Sequence, residues 1–186
     1  AADESDWAKA ESYYLKALDI YQQQGSKARE ATVLCNIGSL LLRQMQFEKA
    51  AEMAERALVM MQAAGDNTGE ISAYSLLGDI YSAQQEYQQA VFLYKKAHDL
   101  ASRMNSADLM LSNLYSLYLG YKNSRQFEEA LQTHEQYQAL RDSFFKENPV
   151  YKQVVINQEL ERQLAERELQ SYKARVRERI YWVMLI

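Results

Sequence analysis

Four residue types are scarce in this chain of 186 residues: it contains one cysteine, one proline, six glycines and two histidines. With a single cysteine, Cys35, no disulfide can form within the chain. Cys35 falls on an apolar position of the sequence pattern, so we expect a buried and unreactive thiol. So little glycine and proline, beside abundant alanine, leucine, glutamine and glutamate, favours helices over a sheet.

Charged arrays and catalytic motifs are missing as well. Lys+Arg number 21 against 25 Asp+Glu, a net charge of −4. Without a basic array to hold a phosphate backbone, direct nucleic-acid binding is not expected. His98 and His134 lack the spacing of metal ligands, and no glycine-rich phosphate loop or nucleophile motif is present. We therefore predict a protein that is not an enzyme and that uses no metal and no cofactor.

What the chain does contain is a period of 40 residues. An aromatic residue recurs at this step and an alanine follows each one three positions later: Trp7, Phe47, Tyr87 and Phe127, with Ala10, Ala50, Ala90 and Ala130. A period between about 20 and 50 residues indicates stacked repeats, in which each unit buries its apolar face against its neighbours. Gly25, Gly65 and Asn105 keep the same step, and Gly65 is suited to end a helix because glycine accepts the left-handed conformation.

Each period contains two stretches with apolar residues at helical spacing, so each unit is predicted to be a helix pair whose second helix begins at the aromatic residue. We predict an array over residues 1–147, with a half repeat at 7–25 and full repeats at about 28–66, 68–106 and 107–146. The alanines, with Gly38 and Gly78 on the first helices, permit close helix crossing. Tyr118 and His134 interrupt this pattern in the last unit, which predicts a looser pair and a packing role for His134.

Three groups of residues resemble the pattern of the tetratricopeptide repeat (TPR) family, which has a bulky residue, Leu-Gly and Tyr on the first helix and Ala-x3-Phe on the second. They are Leu34, Ile37, Gly38, Leu41, Ala50 and Ala54; Tyr74, Leu77, Gly78, Tyr81, Ala90 and Tyr94; and Leu114, Leu117, Tyr118, Tyr121, Ala130 and His134. The longer period resembles that of a long-repeat subclass. The resemblance implies an all-α fold, a right-handed superhelix of antiparallel helix pairs, followed here by a long C-terminal helix.

The resemblance also implies a concave groove that is lined by the first helices and binds a protein or peptide. The residues expected on it are Thr32, Asn36, Ser39, Arg43, Ser72, Ser75, Asp79, Ser82, Ser112, Tyr115 and Lys122. The alternative is that these short side chains only let the superhelix curve. TPR cochaperones hold a C-terminal carboxylate with Lys, Asn and Arg in set columns. Most of those residues are missing here, so a chaperone-tail adaptor is not expected.

The character of the chain changes after Asn148-Pro149, a break that suits the start of a new helix. Residues 148–179 are predicted to form a charged helix: a solvated stalk, a cap folded onto the array, or the seam of a homodimer. Residues 180–186 form an unbroken apolar run. The run is shorter than the roughly 20 residues that cross a bilayer, but it suits the onset of a membrane span that continues after Ile186.

This end of the array resembles that of bacterial membrane-anchored regulators and sensor kinases. The resemblance implies the sensory region of a bacterial transmembrane signalling or transcription-regulating protein, anchored with its array on the extracytoplasmic (periplasmic) side. Four basic residues between Lys173 and Arg179 weigh against that side, because positive flanks prefer the cytoplasm. The alternative is a soluble cytoplasmic TPR scaffold or peptide receptor, in which residues 180–186 dock as an amphipathic cap.

Overall fold

A computed structural model describes residues 4–147 of the chain, which form seven helices joined by short turns. The helices are α1 (Glu4–Gln23), α2 (Lys27–Arg43), α3 (Phe47–Ala64), α4 (Asn67–Ala83), α5 (Tyr87–Arg103), α6 (Ala107–Asn123) and α7 (Phe127–Glu147). No strand occurs within this range. The all-α prediction is confirmed, and the second helices α3, α5 and α7 begin at Phe47, Tyr87 and Phe127 as the period predicts.

Each turn between these helices contains a residue in the left-handed backbone conformation. Between repeats these are Gly25, Gly65 and Asn105, with φ of 65°, 66° and 51°, and within the pairs they are Met45, Gln85 and Arg125, with φ of 59°, 65° and 62°. Glycine adopts this conformation without strain, whereas an ordinary L-residue costs roughly 1–2 kcal/mol. The turns inside the pairs therefore carry strain that the sequence pattern does not reveal.

Asp66 shows how one residue connects two helices. Its backbone N–H donates to the carbonyl of Met61 at 2.9 Å and closes the end of α3. Its carboxylate accepts from the backbone N–H of Gly69 at 2.9 Å and caps the start of α4. Both bonds satisfy groups that a helix end leaves without an intrahelical partner.

The helices pack in chain order from α1 to α6, and the first helices also contact each other, α2 with α4 and α4 with α6. The repeated alanines lie at the helix crossings, where Ala50, Ala57, Ala90 and Ala97 are all 0% exposed. A methyl group at these points lets two helix backbones approach more closely than a larger side chain would. Because α2, α4 and α6 are neighbours, their outward side chains form one shared surface.

The glycine column of the first helices makes different contacts in each pair. A Cβ added to Gly38 would lie 3.2 Å from the carbonyl oxygen of Ala50, and one added to Gly78 would lie 2.5 Å from the ring of Tyr94. In the last pair Tyr118 takes this place, with its ring centroid 4.7 Å from that of His134. Tyr118 and His134 are only half-buried, and the ring of Tyr118 is a packing partner of His134.

The chain divides into two compact units, one up to Leu140 and one from Arg141 onwards. In the second unit the structure describes Arg141–Glu147, where Arg141 pairs with Asp142 at 2.9 Å and the rings of Phe144 and Phe145 meet edge to face. No helix within residues 4–147 is long and apolar enough to cross a bilayer. The predicted stalk at 148–179, its homodimer seam and the apolar run at 180–186 lie outside the described residues.

Candidate functional site

The residues predicted for the groove lie on the outward side of the first helices. Nine of the eleven are exposed: Thr32, Asn36, Ser39 and Arg43 on α2, Ser72 and Asp79 on α4, and Ser112, Tyr115 and Lys122 on α6. Ser75 and Ser82 on α4 are half-buried. The opposite sides of the same helices carry buried residues such as Leu34, Leu77 and Leu114.

Several hydroxyl groups on this surface bond to their own helix. Thr32 Oγ1 donates to the carbonyl of Ala28 at 3.0 Å, and Ser72 Oγ donates to the carbonyl of Thr68 at 3.1 Å. Each hydroxyl hydrogen is thereby used, while the oxygen keeps lone pairs that can accept. These side chains therefore present hydrogen-bond acceptors to the solvent side of the helices.

Ser75 and Asn113 link α4 to α6 beneath this surface. Ser75 Oγ lies 2.9 Å from both the carbonyl of Ile71 and Oδ1 of Asn113, and Asn113 Nδ2 donates to the carbonyl of Leu109 at 2.7 Å. Asn113 is 2% exposed. The groove prediction missed this residue, although its column offered a signal: Val33 and Ala73 occupy the equivalent positions in the earlier repeats.

Asp79 is the acidic residue of the predicted groove, and a phenol orients it. The hydroxyl of Tyr94 on α5 donates to Asp79 Oδ1 at 2.7 Å. Although the residue is exposed as a whole, desolvation of its carboxyl group raises the pKa of Asp79, and the bond from Tyr94 opposes that rise. Burial first, and then the charge of Asp79, raises the pKa of Tyr94. The pair thus positions a carboxylate whose second oxygen can accept from a ligand.

At the C-terminal end of this surface, four rings form an aromatic cluster: Tyr115, Tyr118, His134 and Tyr137. The centroid of Tyr115 lies 6.2 Å from that of Tyr118 and 5.7 Å from that of Tyr137, and His134 completes the group. The ammonium group of Lys122 lies 5.9 Å from the Tyr118 centroid. Tyr115 is 48% exposed, so this end offers an apolar contact beside a cation.

At the N-terminal end, a cavity of about 360 Å³ lies between α1 and α2. Its lining brings together Asn36, Ser39 and Arg43 of the predicted groove, with Leu40 beside them and Trp7, Ala10 and Tyr14 on α1. The repeat pattern predicted only a packing role for the three α1 residues. Helix α1 corresponds to the second helix of a repeat. Within residues 4–147 no first helix of its own repeat packs against it, and these three side chains line a cavity.

Cys35 adjoins this surface and does not add chemistry to it. The residue is half-buried and not fully buried as the sequence pattern predicts. Burial raises the pKa of its thiol to about 11, so almost none of the reactive thiolate is present at neutral pH. Within residues 4–147, no group of three or more His, Cys, Asp and Glu side chains could hold a metal ion.

Solved structures share this fold. BtubC (BKLC) from P. vanneervenii is 21% identical with a TM-score of 0.69, and the match covers 78% of this chain and 60% of that chain. The TPR domain of Arabidopsis FLU is 22% identical with a TM-score of 0.59, covering 63% and 98%. The apo form of RapI is 15% identical with a TM-score of 0.66, covering 76% and 39%. Identities this low support the fold alone.

The family comparison is more specific. No curated protein sequence matches the chain, but the family model named tetratricopeptide repeat matches residues 1–63 and 29–103, which together exceed half of its length. Proteins of this fold are generally non-catalytic scaffolds that bind other proteins. The 40-residue columns, the helix pairs and the family match lead to one conclusion: this chain belongs to the tetratricopeptide repeat family.

Proposed function

We propose that this chain binds a segment of another protein along the surface shared by α2, α4 and α6. The observation that carries this proposal is the division of the first helices into two sides. One side is buried, and the other presents exposed polar residues on each of the three helices, with Thr32, Ser72 and Ser112 in equivalent positions. A surface of hydrogen-bonding groups on a rigid scaffold is suited to recognising a peptide backbone.

The chemistry of this surface varies along the array. Asn36 can both donate to and accept from a peptide group, and Arg43 adds a cation beside it. Asp79, held by Tyr94, supplies a carboxylate in the middle. Tyr115 and Lys122 offer an aromatic face and a second cation at the far end. The ligand best suited to this order is an extended segment with a basic group near its centre and an apolar side chain at one end.

The test is a selection of random dodecapeptides displayed on phage against the full 186-residue chain. Selected peptides are then titrated against a groove variant in which Asn36, Asp79 and Tyr115 are replaced by alanine. The matched control replaces an acid, an aromatic residue and an amide that are exposed on the second helices: Glu52, Phe92 and Gln132. The expected result is a loss of about tenfold or more in affinity, or about 1.4 kcal/mol, for the groove variant alone.

Circular dichroism establishes that both variants keep their helical content before any binding is compared. Equal affinity of the selected peptides for the groove variant and the wild type would contradict the groove assignment. Failure of any peptide to be enriched would count against the proposal as well, because an exposed polar surface of this extent should retain some sequences from a random library.

A finer form of the proposal makes this array the sensory region of a bacterial transmembrane signalling or transcription-regulating protein, with the array outside the cytoplasm. Its support is the apolar sequence of residues 180–186. The test is flotation of the full chain with phosphatidylcholine vesicles. Aspartate at Ile180, Val183 and Met184 should abolish flotation, whereas aspartate at Gln153, Gln163 and Gln170 should not. A wild-type chain that stays in the soluble fraction would favour the alternative of a cytoplasmic scaffold.

A further inference from the structure

The ring of Tyr94 on α5 lies between a glycine of α4 and a glycine of α6. A Cβ added to Gly78 of α4 would lie 2.5 Å from this ring, and one added to Gly120 of α6 would lie 3.6 Å from it. Tyr94 is 4% exposed, and its hydroxyl donates to Oδ1 of the exposed residue Asp79 at 2.7 Å. The two glycines therefore leave room for a buried ring that delivers a hydroxyl to the surface shared by the first helices.

This tyrosine and acid occur together only in the middle of the full repeats. The equivalent residues of the neighbouring full repeats are neither a tyrosine nor an acid: Ala54 with Ser39, and His134 with Leu119. A tyrosine hydroxyl needs only a neutral acceptor, whereas a carboxylate also brings a charge and a second oxygen. The pair is therefore a local feature of the surface that the repeat pattern does not require.

The carboxylate of Asp79 has no cation beside it among residues 4–147. Desolvation of the carboxyl raises the pKa of Asp79 and the bond from Tyr94 opposes the rise, but no lysine or arginine of this range contributes. The equivalent residues on the adjacent first helices, Ser39 and Leu119, are neutral. A partly desolvated carboxylate without a counter-ion gains free energy when a cation binds to it.

The surroundings of Asp79 favour the guanidinium group of arginine over the ammonium group of lysine. Leu119 precedes Gly120 on α6 and is 37% exposed, so an apolar side chain lies on the same surface. A guanidinium group is planar and less strongly hydrated than an ammonium group, and it therefore leaves water at a lower cost. Its methylene stem can also cover an apolar side chain such as that of Leu119.

We propose that Asp79 determines the specificity of the groove by binding an arginine side chain of the partner segment. The guanidinium group donates to Oδ2, while Tyr94 holds Oδ1 and acts as a positioning residue. The stem of the arginine lies on Leu119. This inference rests on the proposed function, because the arginine belongs to the segment bound along α2, α4 and α6. It adds the residue type that the partner carries where it crosses α4.

The first test compares selections of the dodecapeptide library against the wild type, Asp79→Asn and Asp99→Asn. Asparagine keeps the shape of the side chain at position 79 and still accepts from Tyr94, but it removes the charge. Asp99 is the matched control, because it is an exposed acid on the second helix α5. Arginine should recur at one position in peptides selected on the wild type and on Asp99→Asn, and this preference should be lost on Asp79→Asn.

A double-mutant cycle then measures the contact itself. One peptide selected on the wild type is synthesised with arginine, lysine or citrulline at the recurring position, since citrulline has nearly the shape of arginine and no charge. The wild type should bind the arginine form about five- to tenfold more tightly than the citrulline form, and Asp79→Asn should bind the two about equally. The lysine form should recover only part of the affinity.

Tyr94→Phe tests the positioning role. Without the phenol hydroxyl the carboxylate is free to rotate, so the ratio of arginine to citrulline affinity should fall, while the affinity of the citrulline form should not change. A purely structural role of Tyr94 would instead weaken both peptides alike. Thermal unfolding establishes that each variant is folded before its binding is compared.

Two results would overturn this inference and leave the proposed function intact. One is selection of groove-binding peptides without a preference for arginine. The other is the same ratio of arginine to citrulline affinity for the wild type and Asp79→Asn. Equal affinity of the lysine and arginine forms would overturn the choice of arginine. If no peptide is enriched on the wild type, the proposed function and this inference fail together.

Discussion

The middle helix pair, α4 and α5, and the last pair, α6 and α7, share a backbone plan but differ in their packing. Both first helices have 17 residues, and both turns contain a left-handed residue, Gln85 and Arg125. The middle pair interlocks a glycine with a buried tyrosine, Gly78 with Tyr94. The last pair places two half-buried rings, Tyr118 and His134, at the same columns.

The last pair uses its side chains differently as a result. Its glycine, Gly120, lies two positions later and faces α5, where an added Cβ would come within 2.8 Å of Val91. Its aromatic rings gather around exposed Tyr115. The difference teaches that the repeat period requires helices and turns at fixed positions. The side chains at the crossing of a pair can differ, and the last pair carries exposed aromatic surface where the middle pair carries a glycine contact.

The largest difference in stability between the pairs should appear when a side chain is added at the position of Gly78. Gly78→Leu forces apart α4 and the Tyr94 ring, and overpacking of this kind costs about 1–3 kcal/mol of unfolding free energy. Tyr118→Leu, at the equivalent position, should cost less than about 1.5 kcal/mol because the site already holds a large side chain. Urea denaturation of both variants is the measurement. Equal losses would show that the two pairs are equally close.

Removal of a tyrosine hydroxyl should reveal a smaller difference in stability between the two pairs. Tyr94→Phe loses the bond to Asp79 and should lower the unfolding free energy by about 0.5–1.5 kcal/mol. Tyr118→Phe changes a half-buried residue of the last pair and should stay within about 0.5 kcal/mol of the wild type. A loss at Tyr118 as large as that at Tyr94 would mean that the last pair also depends on a buried hydrogen bond.

The turns inside the two pairs should respond equally to a glycine substitution, because their backbone conformation is the same. Gln85→Gly and Arg125→Gly remove the Cβ that strains a left-handed residue. They also make the unfolded chain more flexible, which offsets part of the gain in stability. Each should raise the unfolding free energy by about 0.5–1 kcal/mol, which thermal denaturation can resolve. Stabilisation at one turn and not at the other would show that the packing difference extends into the turn geometry.

The periodic features of this chain could be predicted from its sequence, and the exceptions to the period could not. Alanine and aromatic columns determine which helix faces meet, so the helix pairs and their starts followed directly. The left-handed turns inside the pairs could not be predicted, because the residues there are not of a type that favours a turn: Met45, Gln85 and Arg125.

The smallest predicted difference between the pairs is one of pH dependence. Asp79 in the middle pair and Leu119 in the last pair occupy the same column, but only Asp79 can titrate. Partial burial raises the pKa of Asp79 above its ordinary value. The folded chain then binds this proton more tightly than the unfolded chain, so the contribution of Asp79 to stability is greatest below the ordinary pKa and declines as pH rises through the raised one. Asp79→Asn removes the titration. The unfolding free energy of the wild type minus that of Asp79→Asn should therefore fall as the pH rises from acid towards neutral, whereas Leu119→Asn should produce no such slope. A difference that rises with pH would mean that the bond from Tyr94 outweighs burial, and that the carboxylate is stabilised by the middle pair.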